Sequence, residues 1–213
     1  MDPLAIAAGL ATVAAAGAGW HWRCRARRAE VEVAKLRREL LTERHAACHD
    51  PLTGLPNRRA FYELGAALVA DPRRPALAAA VLDLDDFKQI NDAYGHAAGD
   101  EVLVNVARRF AGYAGDGLVA RLGGDEFAGL LVGATDESWL RRAGDELVDT
   151  VAEPMRVAQS TVVVTASVGL VAVEGAADLA EVLRDADAAM YRAKACRTRT
   201  FALGAGVGWR DAR

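Results

Sequence analysis

The sequence predicts an α+β domain in which helices flank a mixed central sheet. From the first predicted strand onward, the elements follow the order βααββαβα. Two helices separate the first two strands, whereas the second and third strands are joined by a tight Gly-Gly hairpin. The 213 residues suit one domain plus an appendage, and a hydrophobic content of 52% excludes a wholly disordered chain.

Residues 1–22 predict a membrane-spanning helix. The stretch 4–20 carries no charge, and with its neighbours it reaches about 20 residues, the length that crosses a bilayer. Arginines between Arg23 and Arg28 follow at once. By the positive-inside rule, they place the rest of the chain in the cytoplasm, attached to the inner membrane by a single pass. The alternative is an Ala-rich helix that packs on the domain or on a partner.

Residues 23–48 predict a linker helix with coiled-coil character. This segment is rich in Glu, Arg, Leu and Ala and contains neither Gly nor Pro. Apolar residues recur every seven positions at Ala26, Val33, Leu40 and Ala47. Such a short stripe binds weakly alone, but beside an anchor it would hold two chains in parallel. The alternative is a solvated linker helix.

Residues 49–203 make up the predicted α+β domain, and residues 204–213 form a C-terminal tail. Turn-forming residues at 49–58 mark the domain boundary, and Asn57 is placed to cap a helix that runs to Ala70. The remaining predicted elements are the strand Leu77–Leu84, a short helix broken at Asn91–Gly95, the helix Ala97–Ala111, the strands Leu118–Leu122 and Phe127–Val132, the helix Asp136–Val151, the strand Thr161–Val173 and the helix Leu179–Lys194.

Carboxylates from two separate segments point to a metal site. Asp83 and Asp85 end a strand otherwise built from Ala, Val and Leu, and Asp125 and Glu126 lie at the tip of the Gly-Gly hairpin. Acids that emerge from a buried strand are unfavourable unless something neutralises them. If the hairpin pairs beside the first strand, the two groups converge and offer oxygen ligands that suit Mg²⁺ bound with substrate phosphates. The alternative is that these acids only cap loops.

The segment after the first strand carries polar side chains that suit a nucleotide. Lys88 is placed to meet phosphate charge. Asn91 and Asp100 bracket a turn, and together an amide and a carboxylate match the donors and acceptors on a guanine edge. His96 either adds a contact or is a structural histidine at a helix start.

The net charge argues against a nucleic-acid-binding protein, and the cysteine content argues against a zinc-binding or disulfide-stabilised protein. A net charge of −3 and a pI of about 5.8 argue against a nucleic-acid partner, which would favour a strongly basic chain. Cys24, Cys48 and Cys196 are odd in number and far apart in the sequence. We therefore expect free thiols in a reducing compartment, with neither a zinc site nor a disulfide framework.

Six motifs follow one another along the chain: Asp50-Pro-Leu-Thr-Gly-Leu-Pro-Asn-Arg58, the run Asp83–Asp92, Gly95-His96 with Gly99-Asp100, Gly123-Gly-Asp-Glu-Phe127, Thr165–Gly169 and Asp187–Lys194. Together and in this order, they resemble the signature of GGDEF-domain diguanylate cyclases. The resemblance spans about residues 49–200 and implies a fold close to adenylyl cyclases and polymerase palms. It also implies a reaction in which two GTP molecules give cyclic di-GMP and two pyrophosphates. That reaction would use Mg²⁺, or Mn²⁺ in its place, and a homodimer of domains.

The same resemblance implies roles for individual residues. Asp83, the Leu84 carbonyl and Asp125 would hold the metal ions. The residues implied in catalysis are Asp125 or Glu126, which would help to deprotonate a 3′-hydroxyl, and Lys88. The residues implied in substrate binding are Phe87, Lys88, Lys194 and Arg197 for the phosphates, and Asn91, Asp100 and His96 for guanine.

The sequence departs from the family pattern at two places. An Arg-x-x-Asp product-inhibition motif would fall on Ala114 and Gly117, so that site is expected to be absent. The arginine expected four residues after Lys194 is Thr198, with Arg197 and Arg199 as neighbouring substitutes. The alternative function is therefore a catalytically weak GGDEF module that binds GTP or a partner protein as a signalling scaffold.

Overall fold

The computed structural model describes the backbone of residues 3–157, 159–175, 177–196 and 198–203. The chain divides into two units, the first ending at Ala47 and the second beginning at Cys48. In chain order, the elements of the described residues are α1 (Pro3–Cys48), α2 (Arg58–Ala70), β1 (Leu77–Leu84), α3 (Phe87–Tyr94), α4 (His96–Ala114), β2 (Leu118–Gly123), β3 (Glu126–Val132), α5 (Glu137–Ala152), β4 (Met155–Val157), β5 (Ser160–Val162), β6 (Ala166–Val173), α6 (Leu179–Cys196) and β7 (Thr200–Leu203).

The first unit is built from α1, a continuous helix of 46 residues. It runs through both of the N-terminal segments that the sequence distinguishes. Val33, Leu36 and Leu40 are exposed on this helix, and their spacing of three and four residues puts them on one face. The pairing of this face with a second chain stays a prediction.

The predicted membrane-spanning helix has no support in the structure. The side chains of residues 3–19, which carry most of that prediction, lie outside the described residues. None of the helices that the structure describes is both long enough and apolar enough to cross a membrane. The cytoplasmic location of the rest of the chain stays a prediction.

The second unit contains a five-stranded sheet with the order β2-β3-β1-β6-β7. The central strand β1 pairs antiparallel with β3 and β6, and β2 pairs antiparallel with β3. At the other edge, β7 runs parallel to β6. The sheet is therefore mixed, as predicted, but mostly antiparallel. This strand order places the β2–β3 hairpin beside the C-terminal end of β1.

Two hydrophobic cores lie on opposite faces of the sheet, and alternate residues of β1 contribute to each. Leu82 belongs to the core that includes Phe110 of α4 and residues of α5. Val81 belongs to the core that includes Phe61 of α2 and residues of α6. Asp83 continues the alternation from Val81, so β1 delivers this carboxylate to the side of the sheet covered by α2 and α6.

Side-chain caps determine where two of the flanking helices begin. Asn57 accepts a hydrogen bond from the Ala60 backbone N–H at 3.0 Å, which confirms the predicted cap of α2. In the same way, Asp136 accepts from the Trp139 backbone N–H at 3.0 Å at the start of α5.

One predicted strand, Thr161–Val173, is wrong as a single element. Its first part belongs to β5, which pairs with β4 in a separate two-stranded sheet, and β6 begins only at Ala166. The β-branched residues of this stretch favour strand throughout, whereas the break comes from pairing with different partners. The sequence did not predict β4 or β7, because strands of three and four residues are too short to show a periodic pattern.

Candidate active site

The β2–β3 hairpin brings its acidic tip to the end of β1. In the pairing of β1 with β3, Asp83 lies opposite Glu126. The Leu84 backbone N–H donates to the Asp125 carbonyl at 3.4 Å. The tight turn needs glycine at position 124, where φ is +53°. The structure therefore brings together the two acidic segments that the sequence predicted would converge.

Asp83 lies among other charges at this end of the sheet. Its side chain is 15% exposed, and Lys194 of α6 donates to its Oδ1 at 2.5 Å. Burial raises the pKa of Asp83, and although Lys194 opposes this effect, the carboxylates of Asp125 and Asp85 add to it. The hydrogen bond to Asp83 in turn raises the pKa of Lys194. Carboxylates held this close together favour a bound cation.

The predicted metal ligands offer only a partial coordination shell. Within the described part of the chain, no cluster of three or more His, Cys, Asp or Glu side chains is arranged to hold a metal ion. The predicted set instead combines the carboxylates of Asp83 and Asp125 with the Leu84 carbonyl. Mg²⁺ prefers oxygen ligands and usually keeps several positions for water and substrate phosphates. This set therefore fits Mg²⁺ that is bound together with a phosphate-bearing substrate.

An open pocket of about 510 Å³ adjoins the acidic end of β1. Small-molecule sites typically have volumes of roughly 300–1,000 Å³. Asp85, Ser167, Lys194 and Arg199 are among its lining residues. Asp85 is fixed in place because it accepts a hydrogen bond from the Ser167 hydroxyl at 2.8 Å. The pocket therefore combines acidic and basic side chains beside the predicted metal ligands.

The turn from β1 into α3 provides an open helix N-terminus. Asp86 has φ +54°, and within the described part of the chain it is the one non-glycine residue with a positive φ. Its side chain makes no capping hydrogen bond to α3. Phe87 and Lys88 form the first turn of this helix, and Lys88 is exposed. Uncapped backbone N–H groups at a helix N-terminus favour anions, so this turn suits a phosphate group.

Asn91 of α3 packs against the start of α4, the helix that carries Asp100. A methyl group added at Gly99 would collide with Asn91 Oδ1 and would lie 3.2 Å from Phe87 Cζ, so Asn91 and Phe87 pack directly against this glycine. Asp100 follows Gly99 in the chain, and His96 lies one turn earlier; both are exposed. The structure therefore gathers the residues predicted to bind guanine at one helix junction.

We expect Gly99→Ala to be less stable than Gly112→Ala by about 1 kcal/mol, because the methyl added at position 99 must displace the Asn91 side chain and crowds Phe87. Gly112→Ala on the same helix is the matched control. Position 112 has open space around it, so this change should stabilise the protein by up to about 1 kcal/mol through helix propensity. Denaturant unfolding of both variants measures the difference. Equal stabilities would contradict the close packing of Asn91 on Gly99.

Arg121 of β2 links the hairpin tip to the segment that precedes α2. Its Nε and Nη2 donate to the Gly124 carbonyl at 3.0 and 2.7 Å, and its Nη1 donates to the two carboxylate oxygens of Asp50 at 3.0 and 3.2 Å. The Arg121 and Asp50 side chains are only 13% and 18% exposed. We call Asp50, Arg121 and Gly124 the hairpin clamp. The sequence placed Asp50 in a motif but did not reveal Arg121, because no local pattern signals a contact between residues 71 positions apart.

Because of the hairpin clamp, the free energy of unfolding should fall at acidic pH. Partial burial raises the pKa of Asp50, but hydrogen bonds from Thr53 and Arg121 outweigh it and hold this pKa below its ordinary value of 3.8. Ionised Asp50 therefore contributes stability that is fully present above about pH 4 and is lost as the pH falls through the lowered pKa. The difference in unfolding free energy between the native chain and Asp50→Asn should shrink below about pH 4. A difference that is the same at every pH would contradict this.

The other predicted residues have partners that the sequence did not indicate. Glu126 faces Arg58 of α2, with 3.6 Å between the Glu126 carboxylate and the guanidinium, and Arg58 Nε also donates to the Leu122 carbonyl at 3.2 Å. Lys194, which the sequence predicted to bind phosphate, instead contacts Asp83, one of the predicted metal ligands. Arg197 lies outside the described residues.

Comparison with known proteins identifies the family. A family profile described as "Diguanylate cyclase, GGDEF domain" matches residues 47–200. The diguanylate cyclase TpbB of Pseudomonas aeruginosa is 46% identical to the chain over 167 residues, which cover 76% of this chain and 38% of TpbB. The chain therefore spans well under half the length of that relative.

Solved structures show the same fold. The GGDEF domain of TpbB from Pseudomonas aeruginosa superimposes with a TM-score of 0.63 at 41% identity, covering 72% of this chain and 91% of that one. The coiled coil and GGDEF domain of DgcB from Caulobacter crescentus, in complex with c-di-GMP, gives a TM-score of 0.75 at 29% identity, covering 85% of this chain and 98% of that one. From the matched profile, the identity to TpbB and the shared fold, we conclude that this chain belongs to the diguanylate cyclase GGDEF-domain family.

Proposed function

We propose that the chain condenses two GTP molecules into cyclic di-GMP and releases two pyrophosphates. The observation that carries this proposal is that Asp83 lies opposite Glu126 of the hairpin and contacts Lys194, which lines the adjoining pocket. Partly buried acids placed close together are unfavourable unless a cation neutralises them, and β1 leads from Asp83 into the open helix N-terminus that suits phosphate. The printed name of TpbB, diguanylate cyclase, agrees with this activity.

Asp83, the Leu84 carbonyl and Asp125 would hold Mg²⁺, or Mn²⁺ in its place. When bound, these ions would offset phosphate charge and make the attacking hydroxyl more acidic. The Lys194–Asp83 ion pair would separate when substrate binds, because the triphosphate then supplies anionic partners for the lysine. Lys194, Lys88 and the backbone N–H groups at the start of α3 would then neutralise and orient the phosphates.

Asp125, or Glu126 beside it, would accept the proton from the 3′-hydroxyl of one GTP. The 3′-oxygen then forms a bond with the α-phosphorus of the other GTP. The bond from that phosphorus to the bridging oxygen breaks, and pyrophosphate leaves with the electron pair. A second, equivalent condensation closes the ring. Arg58 would orient Glu126 through the contact at 3.6 Å.

The residues at the junction of α3 and α4 would select guanine. The Asp100 carboxylate would accept hydrogen bonds from the guanine N1–H and amino group, and the Asn91 amide can both donate and accept. His96, one turn before Asp100, would add a contact from the same helix.

Catalysis would require a homodimer, because each domain holds one GTP and the reaction joins two. The exposed Val33, Leu36 and Leu40 on one face of α1 would pair with a second copy and set the distance between domains. The solved structure of DgcB likewise contains a coiled coil together with its GGDEF domain.

The proposed function is tested by incubating the full chain with GTP and Mg²⁺ and identifying the products by mass spectrometry. Cyclic di-GMP and pyrophosphate are the expected products. GTP that binds but is not converted would instead support a signalling scaffold, the alternative that Thr198 favours because it removes an expected phosphate-binding arginine. A cyclic mononucleotide would show a different cyclase reaction.

A further inference from the structure

The ammonium group of Lys194 lies among the acids that are proposed to hold the metal ion. Its Nζ is 2.5 Å from Asp83 Oδ1, and the Asp83 side chain is only 15% exposed. The carboxylates of Asp85 and Asp125 also act on Lys194, and together with Asp83 they raise its pKa above the ordinary value of 10.5. At neutral pH this lysine is therefore charged, and it neutralises part of the negative charge at the end of β1.

Lys194 can leave this position while the acids stay in place. It lies in the last turn of α6, its side chain is 46% exposed, and it lines the open pocket of about 510 Å³. Its flexible four-carbon stem can therefore turn the ammonium group from Asp83 toward the pocket. Asp83 is held by strand pairing on both sides, opposite Glu126 of β3 and Ser167 of β6. The Ser167 hydroxyl also fixes Asp85.

One carboxylate cannot serve the lysine and a metal ion equally well at the same time. An ammonium group this close to Asp83 repels a second cation at the same carboxylate, and the partial burial of Asp83 weakens the screening by water. A triphosphate changes the balance, because it offers Lys194 more negative charge than one carboxylate does. Once Lys194 has turned to the phosphates, Asp83 is without its cation.

We propose that Lys194 closes the metal site of the free chain, so that the divalent cation and the triphosphate bind together rather than one after the other. The proposal rests on the proposed function and states what the Lys194–Asp83 contact does before substrate arrives. Because binding free energies are linked, the triphosphate then favours the metal by the same factor as the metal favours the triphosphate.

A purely structural ion pair predicts a different pattern. If the contact only ties α6 to β1, removing the lysine lowers stability and leaves metal affinity unchanged. If Lys194 closes the metal site, its removal strengthens the binding of a divalent cation to the free chain. The same removal weakens the binding of a triphosphate in the absence of metal, because it takes away a phosphate partner. The opposite signs of these two effects separate the two roles.

The test is the binding of Mn²⁺ alone to the full chain, followed by electron paramagnetic resonance of the free ion. Lys194→Gln should bind Mn²⁺ roughly tenfold more tightly than the native chain, because the competing ammonium group is gone. Its affinity for α,β-methylene GTP, measured calorimetrically without metal, should fall. Combining Lys194→Gln with Asp83→Asn should abolish the gain in Mn²⁺ affinity, which would locate that gain at Asp83.

Arg199→Gln is the matched control for the loss of a positive charge. Arg199 lines the same pocket as Lys194, but its guanidinium contacts Asp149 instead of Asp83. The Mn²⁺ affinity of this variant should stay within about twofold of that of the native chain. Thermal unfolding of every variant shows whether the fold is intact. Lys194→Met, which keeps most of the aliphatic stem, is the second variant if glutamine at this position lowers the Tm.

Equal Mn²⁺ affinity of Lys194→Gln and the native chain, including no detectable binding to either, would overturn the proposal, because the lysine would then not be what excludes the cation. An equal gain in Arg199→Gln would also overturn it, since the effect would come from net charge rather than from the contact with Asp83. Conversion of GTP by the native chain is measured separately. If cyclic di-GMP forms while Mn²⁺ binding does not change, only this inference fails. If no product forms, the proposed function fails.

Discussion

Replacing Asp125 with alanine is expected to slow cyclic di-GMP formation by at least about a thousandfold. In the proposed mechanism this carboxylate both holds a metal ion and stands ready to accept the 3′-hydroxyl proton. Its backbone carbonyl, which accepts from Leu84, is unchanged by the substitution, so the hairpin should keep its geometry. Product formation is measured by mass spectrometry at saturating GTP.

Asp116→Ala is the matched control for Asp125→Ala. Asp116 is an exposed acid in the turn before β2, and its removal should leave the rate unchanged. Thermal unfolding of both variants should resemble that of the native chain. If Asp125→Ala forms product at the native rate, Asp125 is neither metal ligand nor base, and the proposed mechanism is wrong.

Replacing Arg121 with alanine is expected to lower both stability and turnover. The change leaves the largely buried Asp50 carboxylate without its cation and removes both hydrogen bonds to the Gly124 carbonyl. Loss of one partner from such a pair should lower the free energy of unfolding by about 2–4 kcal/mol. Because Gly124 precedes Asp125, loosening the turn should also lower kcat more than it raises KM for GTP.

Arg59→Ala provides the matched control. It also removes an arginine from an ion pair, but that pair, between Arg59 and Glu63 of α2, is exposed. This change should lower stability by less than about 0.5 kcal/mol and leave kcat unchanged. Arg121→Lys should restore part of the lost stability, because lysine keeps the positive charge beside Asp50. It should not restore all of it, because lysine cannot make the two hydrogen bonds to the Gly124 carbonyl. Full activity in Arg121→Ala would show that the hairpin holds its shape without the clamp.

The parts of the site that the sequence predicted depend on local chemistry. A buried strand that ends in acids, together with a Gly-Gly turn that carries more acids, predicts that Asp83 and Glu126 converge once the two segments pair. The structure shows this pairing. Asn57 could be predicted as a cap for the same reason, because a cap is decided by residues within one turn.

The parts that could not be predicted depend on distant segments. The Asp50–Arg121 and Asp83–Lys194 contacts join residues 71 and 111 positions apart, and no periodicity records them. The break within Thr161–Val173 likewise depends on β4, whose three residues carry no pattern of their own. The role of Arg121 therefore became visible only through its partners in the folded chain.

In the proposed mechanism, acids from β1 and from the hairpin bind one nucleoside triphosphate together with divalent cations. A crystal structure of the full chain with α,β-methylene GTP and Mg²⁺ would show this arrangement. We expect metal density between Asp83 and Asp125, phosphates at the start of α3, and Lys194 moved from Asp83 to a phosphate. A nucleotide bound elsewhere, with the Lys194–Asp83 contact intact and no metal between the two acids, would show that the mechanism is wrong.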